Sequence, residues 1–209
     1  MEPIKIEEYK GYKIKIITDE NPLNPREEFD CFCVIAGENG RYKIGDGGIE
    51  KVVETVRASR RYLPGWEDET SKTRLKFDMN HFPDAIKAMQ ACDDIICLPL
   101  FMYDHSGIAL SIEPLNDAWD SGQVGVAFVT RENALKEFNE KRMNEKIRQK
   151  AIELIKSEVK TYSEWASGSV FGYVVEDKEG NEIDSCWGFY GMDEFDNMIE
   201  QGREAIDNK

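Results

Sequence analysis

Three short segments carry side chains that could do chemistry: Tyr103-Asp104-His105-Ser106-Gly107, Trp119-Asp120-Ser121-Gly122-Gln123-Val124-Gly125 and Asp184-Ser185-Cys186-Trp187-Gly188-Phe189-Tyr190-Gly191. Each sets acids, hydroxyls, an imidazole or a thiol beside glycines and aromatics. That mixture is expected where strands end in tight turns and a site or a close-packed junction forms. One reading is a hydrolytic site with Cys186 as nucleophile, His105 as general base and Asp120 or Asp184 orienting the imidazole. Asp104, His105 and Ser106 are not themselves a triad, because neighbours on a strand point to opposite faces. Cys186-Trp187 also lacks the Cys-Gly-x-Cys-Trp surroundings of papain-like sites, so a structural histidine and a buried thiol are the competing assignment. The three segments are expected on neighbouring strands, with Trp119 and Trp187 largely buried.

Other chemistries find less support. His81, His105, Asp104, Asp120 and Asp184 are of ligand type, but no His-x-x-x-His or Glu-x-x-His spacing and no thiolate pair accompanies them. No metal and no cofactor is expected. Gly45-Asp46-Gly47-Gly48 precedes a helix, yet no Lys-Ser/Thr follows and Gly-x-Gly-x-x-Gly is absent, so a turn and helix cap is expected there instead of a phosphate loop. The five cysteines (31, 33, 92, 97 and 186) form no Cys-x-x-Cys pair, which points to reduced thiols.

Charge is the strongest compositional signal. The formal net charge is −14, and residues 176–209 hold eleven carboxylates against three cations. By contrast, 131–160 has nine cations and six acids. A negative field repels nucleic acid and anionic lipid and favours basic partners. In the C-terminal helix, expected over 192–207, Asp196, Glu200, Glu204 and Asp207 recur every three or four residues. That spacing puts a carboxylate on one face at each turn, roughly 5–6 Å apart, a crude likeness of backbone phosphates. Together with Asp193 these are the candidate partner-binding residues; a solvated helix face is the bland alternative.

The elements that must position these residues read as α+β, a single domain over 1–209. Residues 4–9 and 12–17 alternate around Lys10-Gly11 as a hairpin, and 32–36 and 42–44 look like further strands. A helix is expected over 49–63, another after Pro83, and a buried central strand at 95–102. Strands at 108–112 and 124–130, a brief helix at 132–138 and a long amphipathic helix over 141–166 follow. A last hairpin joins 170–175 to 183–187. The sheet is expected to be mostly antiparallel with helices packed on one side. No run approaches the roughly 20 apolar residues of a membrane span, and no stretch at the start resembles a signal peptide. A cytoplasmic protein with no membrane partner is the expectation.

Tyr-Asp-His-Ser-Gly-Ile at 103–108, Trp-Asp-Ser-Gly-Gln-Val-Gly at 119–125 and Asp-Ser-Cys-Trp-Gly-Phe-Tyr-Gly at 184–191, in that order, resemble a family of uncharacterised proteins of bacteriophages and integrative mobile elements. The likeness extends to Tyr9-Lys10-Gly11-Tyr12, Asn24-Pro25-Arg26-Glu27 and Arg41-Tyr42-Lys43-Ile44-Gly45-Asp46, nearly the whole chain. Segment 30–38 departs from the family pattern, and Asp177-Lys178-Glu179-Gly180-Asn181 stands where some relatives carry cysteines. The resemblance implies a genetic setting: small acidic accessory proteins of such elements bind and block host restriction or CRISPR complexes, whose nucleic-acid channels are basic. A non-enzymatic inhibitor of a host nucleic-acid-handling protein in the host cytoplasm, itself making no direct contact with nucleic acid, is therefore the leading expectation. A Cys/His hydrolase at the junction of the three motifs, and an accessory module in replication or transfer, are the alternatives.

Overall fold

The alternation at the start of the chain forms β1 (Lys5–Tyr9) and β2 (Tyr12–Thr18), paired from Lys5 opposite Ile16 to Tyr9 opposite Tyr12. Lys10 and Gly11 connect them with φ of 50° and 84°, the left-handed pair that a tight hairpin turn of this hand requires. The computed structural model describes residues 2–68, 70–104, 107–114 and 121–209. The chain is α+β, and every pair of its named strands is antiparallel. It divides into two compact units, one formed by Met1–Glu28 with Glu164–Lys209 and the other by Phe29–Ser163.

The first unit is a four-stranded sheet ordered β1-β2-β8-β9, with β8 at Val170–Glu176 and β9 at Glu182–Tyr190. A short turn of helix, α1 (Pro25–Glu28), follows β2. The C-terminal helix α6 (Phe195–Asp207), entered through a 3-10 turn at Met192–Glu194, covers one face of the sheet. Met198, Ile199 and Ile206 pack there on Ile14, Ile16, Phe171, Tyr173 and Val175. Gly202 brings the helix close: a Cβ at that position would lie 2.8 Å from Ile14 Cγ2.

The second unit holds a five-stranded sheet ordered β4-β3-β7-β5-β6. These strands are β3 (Val34–Glu38), β4 (Lys43–Gly45), β5 (Ile95–Asp104), β6 (Ile108–Ser111) and β7 (Ser121–Thr130). The middle position belongs to β7; β5, expected to be central, lies between β7 and the edge strand β6. Helices α2 (Ile49–Ala58) and α3 (Phe82–Gln90) lie against one face, where Val52, Val56, Ala85 and Met89 meet Ala36, Val126 and Phe128. The irregular segment between them contributes Trp66 and Met79 to the same core. After β7 come α4 (Arg131–Glu137), capped by Thr130 accepting from Asn133 N, and the long α5 (Glu145–Ala166). Within this unit α5 hydrogen-bonds to the backbone at several points. The Glu158 carboxylate accepts from Phe32 N and Cys33 N, Tyr162 Oη accepts from Gly45 N, and Ser163 Oγ accepts from Leu110 N.

Two helices are shorter than their periodicity predicts, and local hydrogen bonds explain both. The helix expected over 49–63 ends at Ala58 because the Asp94 carboxylate accepts from Ser59 Oγ at 2.5 Å and Arg60 N at 3.0 Å, holding Ser59 extended. The helix expected from 141 begins at Glu145, since Asn144 Oδ1 accepts from Ile147 N and caps it. Its buried positions are Ile147, Ala151, Ile155, Val159 and Tyr162.

Candidate functional site: an acidic surface

The negative charge is segregated between the two units. The first contains 19 Asp and Glu against 8 Lys and Arg, whereas the second contains 22 against 19. Within the first unit α6 is amphipathic: Met198, Ile199, Gly202 and Ile206 are buried, and Asp196, Glu200, Glu204 and Asp207 are exposed on its outer side. Asp193 precedes them in the 3-10 turn and is also exposed.

The carboxylate row is not uniformly unpartnered. Asp207 accepts from Lys10 Nζ at 2.7 Å and from Tyr9 Oη at 3.1 Å, and the Lys10 contact holds its carboxyl below the usual aspartate range. Lys5 reaches within 3.5 Å of Asp196, whose side chain remains 99% exposed. Arg203 on the same helix pairs with Glu7 of β1 at 2.6 Å. These are solvent-exposed pairs and add little stability. Glu200 and Glu204 make no ion pair among the described residues, so they form the least neutralised part of the row. The tip of the β8–β9 hairpin adds Asp177, whose carboxylate accepts from Glu179 N and from Asn181 N and Nδ2, with Asn181 chiefly lowering its pKa.

The three motifs are not all on neighbouring strands. Tyr103-Asp104 ends β5, and Tyr103 is paired with Ser121 at the start of β7, so the first two motifs meet in one sheet. The third lies on β9, an edge of the four-stranded sheet in the other unit, and among the described residues pairs only with β8. Trp187, expected to be buried, is 42% exposed and lies across Gly172. His105, Ser106, Trp119 and Asp120 lie outside the described residues, as does any geometry they would give a hydrolase.

What is described of that proposed centre has structural partners. Asp184 accepts from Tyr173 Oη at 2.8 Å, and burial together with this bond pushes the Tyr173 phenol well above its ordinary value. Cys186 packs half-buried against the α6 core, its Sγ 4.0 Å from the Trp187 carbonyl oxygen. Among the described residues it makes no hydrogen bond to a histidine. Cys97 and Cys92 are raised by burial, Cys97 to about 11, which keeps both as thiols. His81 flanks the start of α3, its Nδ1 3.2 Å from Asp84 Oδ2. No three His, Cys, Asp or Glu among the described residues are grouped as metal ligands.

The glycine loop before α2 is a turn and cap, as its sequence predicts. Asp46 accepts from Ile35 N, Glu50 accepts from Gly48 N and Glu38 accepts from Ile49 N. The amides that a phosphate would need are thus already held by the chain's own carboxylates. Sequence reasoning missed Lys5, Lys10 and Arg203 as partners of the acidic row and its neighbour β1. Lys5 at the start of β1 and Lys10 just after it were the available signal, but nothing local indicates that β1 runs beside α6. No protein-family model, no curated protein and no solved structure matches the chain.

Proposed function

We propose that this chain is a non-enzymatic inhibitor that binds a host nucleic-acid-handling protein, its acidic first unit occupying a basic surface otherwise used by nucleic acid. The observation that carries the reading is the charge segregation: 19 acids against 8 cations in one unit, with a near balance in the other. A protein that needed net negative charge only for solubility has no reason to concentrate it. Glu200 and Glu204, without ion-pair partners among the described residues, are the centre of the proposed contact. The choice of a defence protein as target follows from the resemblance to proteins of phages and mobile elements.

The test is capture from a host extract on the immobilised chain, followed by competition. A captured nucleic-acid-handling protein that duplex DNA or RNA displaces from the chain is the expected result. A partner whose binding is indifferent both to added nucleic acid and to salt would overturn the proposal.

A further inference from the structure

We propose that the second unit carries a binding site for a small organic phosphate of about nucleoside monophosphate size. A cavity of about 570 Å³ opens between the end of α2, the start of β5 and α4. Its volume lies within the range usual for small-ligand sites. Three cations from three separate segments line it: Arg60 after α2, Arg131 at the start of α4 and Lys141 beyond α4. Among the described residues none of the three side chains makes a hydrogen bond or an ion pair.

The neighbouring arginines are arranged otherwise. Arg57 is held by both oxygens of Glu67 at 3.0 and 2.6 Å, and Arg61 by both oxygens of Asp93 at 2.9 and 2.5 Å. Carboxylates are therefore within reach of this part of the chain, and the three cations on the cavity are the ones left without them. Arg131 acts on Asp93 only at longer range. Two acids also line the cavity. The Asp94 carboxylate is engaged by Ser59 Oγ and Arg60 N, and Glu132 is exposed. Three like charges converging on one space repel each other unless an anion joins them. Guanidinium groups match phosphate oxygens two at a time, and an ammonium adds a third donor. Thr130, whose hydroxyl oxygen accepts from Asn133 N, keeps its proton for a ligand oxygen. Ala58, Ile95 and Leu135 supply an apolar wall for the organic body of the ligand.

The site is separate from the acidic surface, so failure of either proposal leaves the other standing. Calorimetric titration of the full chain with AMP, ribose 5-phosphate and adenosine tests it. Both phosphates are expected to bind saturably with Kd below about 1 mM, and adenosine is expected not to bind. Arg131→Gln with Lys141→Gln should weaken AMP at least about tenfold while the thermal midpoint stays unchanged. Should that double variant fail to fold, Arg60→Gln, at an exposed position, is expected to give the same loss. Absence of saturable phosphate binding, equal binding of adenosine, or wild-type affinity in the folded variant would each overturn the site.

Discussion

Trp187 packs over Gly172 on the adjacent strand, so closely that a Cβ on Gly172 would clash with the indole ring at Cε3. The pairing slips by one residue beside this contact, Phe171 facing Phe189 and Gly172 facing Trp187, and Gly188 absorbs the extra residue with φ of 84°. Gly172 is thus explained by the packing of one aromatic ring, and Gly188 by the register shift beside it. Gly172→Ala should destabilise the protein by about 1–3 kcal/mol through overpacking. Trp187→Ala in the same chain should recover part of that loss. A urea-denaturation double-mutant cycle with no coupling between the two would show that the ring does not constrain the strand.

Glu158, half-buried, illustrates a structural role that charge alone would not suggest. Its two oxygens accept from Phe32 N and Cys33 N at 2.6 and 3.1 Å. Glu158→Ala should cost about 1–3 kcal/mol, because both amides lose a charged acceptor, and Glu158→Gln should cost less. Equal stability of the two variants in chemical denaturation would contradict this.

Alkaline pH should unfold the protein through Tyr173. The phenol titrates near 10.0 when unperturbed and higher in the fold, owing first to burial and then to its bond with Asp184. Between the two values the native state keeps a proton that the unfolded state has lost. Its contribution is therefore fully present below pH 10 and declines as pH rises beyond it. Tyr173→Phe should lose about 1 kcal/mol at neutral pH and show a shallower fall above pH 10. Tyr62 and Tyr190, and the thiols of Cys92 and Cys97 raised by burial, contribute a residual slope of the same sign. Denaturation midpoints measured from pH 8 to 11 check the sign.

Thiol reactivity should rank by burial. Cys31 is exposed, Cys33 and Cys92 are buried, and burial holds the Cys97 thiol near 11. Cys31 is expected to react first with a disulfide reagent at neutral pH, and Cys33, Cys92 and Cys97 only on unfolding. Rapid labelling of Cys97 in the native protein, read by mass spectrometry, would refute the packing assigned to β5.

Reversing Asp196, Glu200 and Glu204 to lysine should slow association with a captured basic partner by about tenfold, with little effect on folding. All three are exposed on α6. Surface-binding kinetics at low and physiological salt give the measurement. An unchanged association rate would place the contact elsewhere than on α6.

Local pattern was sufficient for much of the fold. The first and last hairpins, most of the helical segments and the long amphipathic helix follow from period and turn chemistry, as Lys10-Gly11 and the apolar spacing of Ile147, Ala151 and Ile155 illustrate. The acidity of 176–209 was likewise legible, because charge adds along the chain wherever it folds. Tertiary structure decided whatever depends on partners distant in sequence. Lys10 meets Asp207 across 197 positions, Glu158 reaches Cys33 across 125, and Asp94 ends α2 by holding Ser59 from 35 residues away. The same holds for the motif on β9, whose sequence suggests a junction with the other two and whose strand pairing puts it in a different sheet. Periodicity reports which face of an element is apolar; it carries no record of which other element that face or edge will meet.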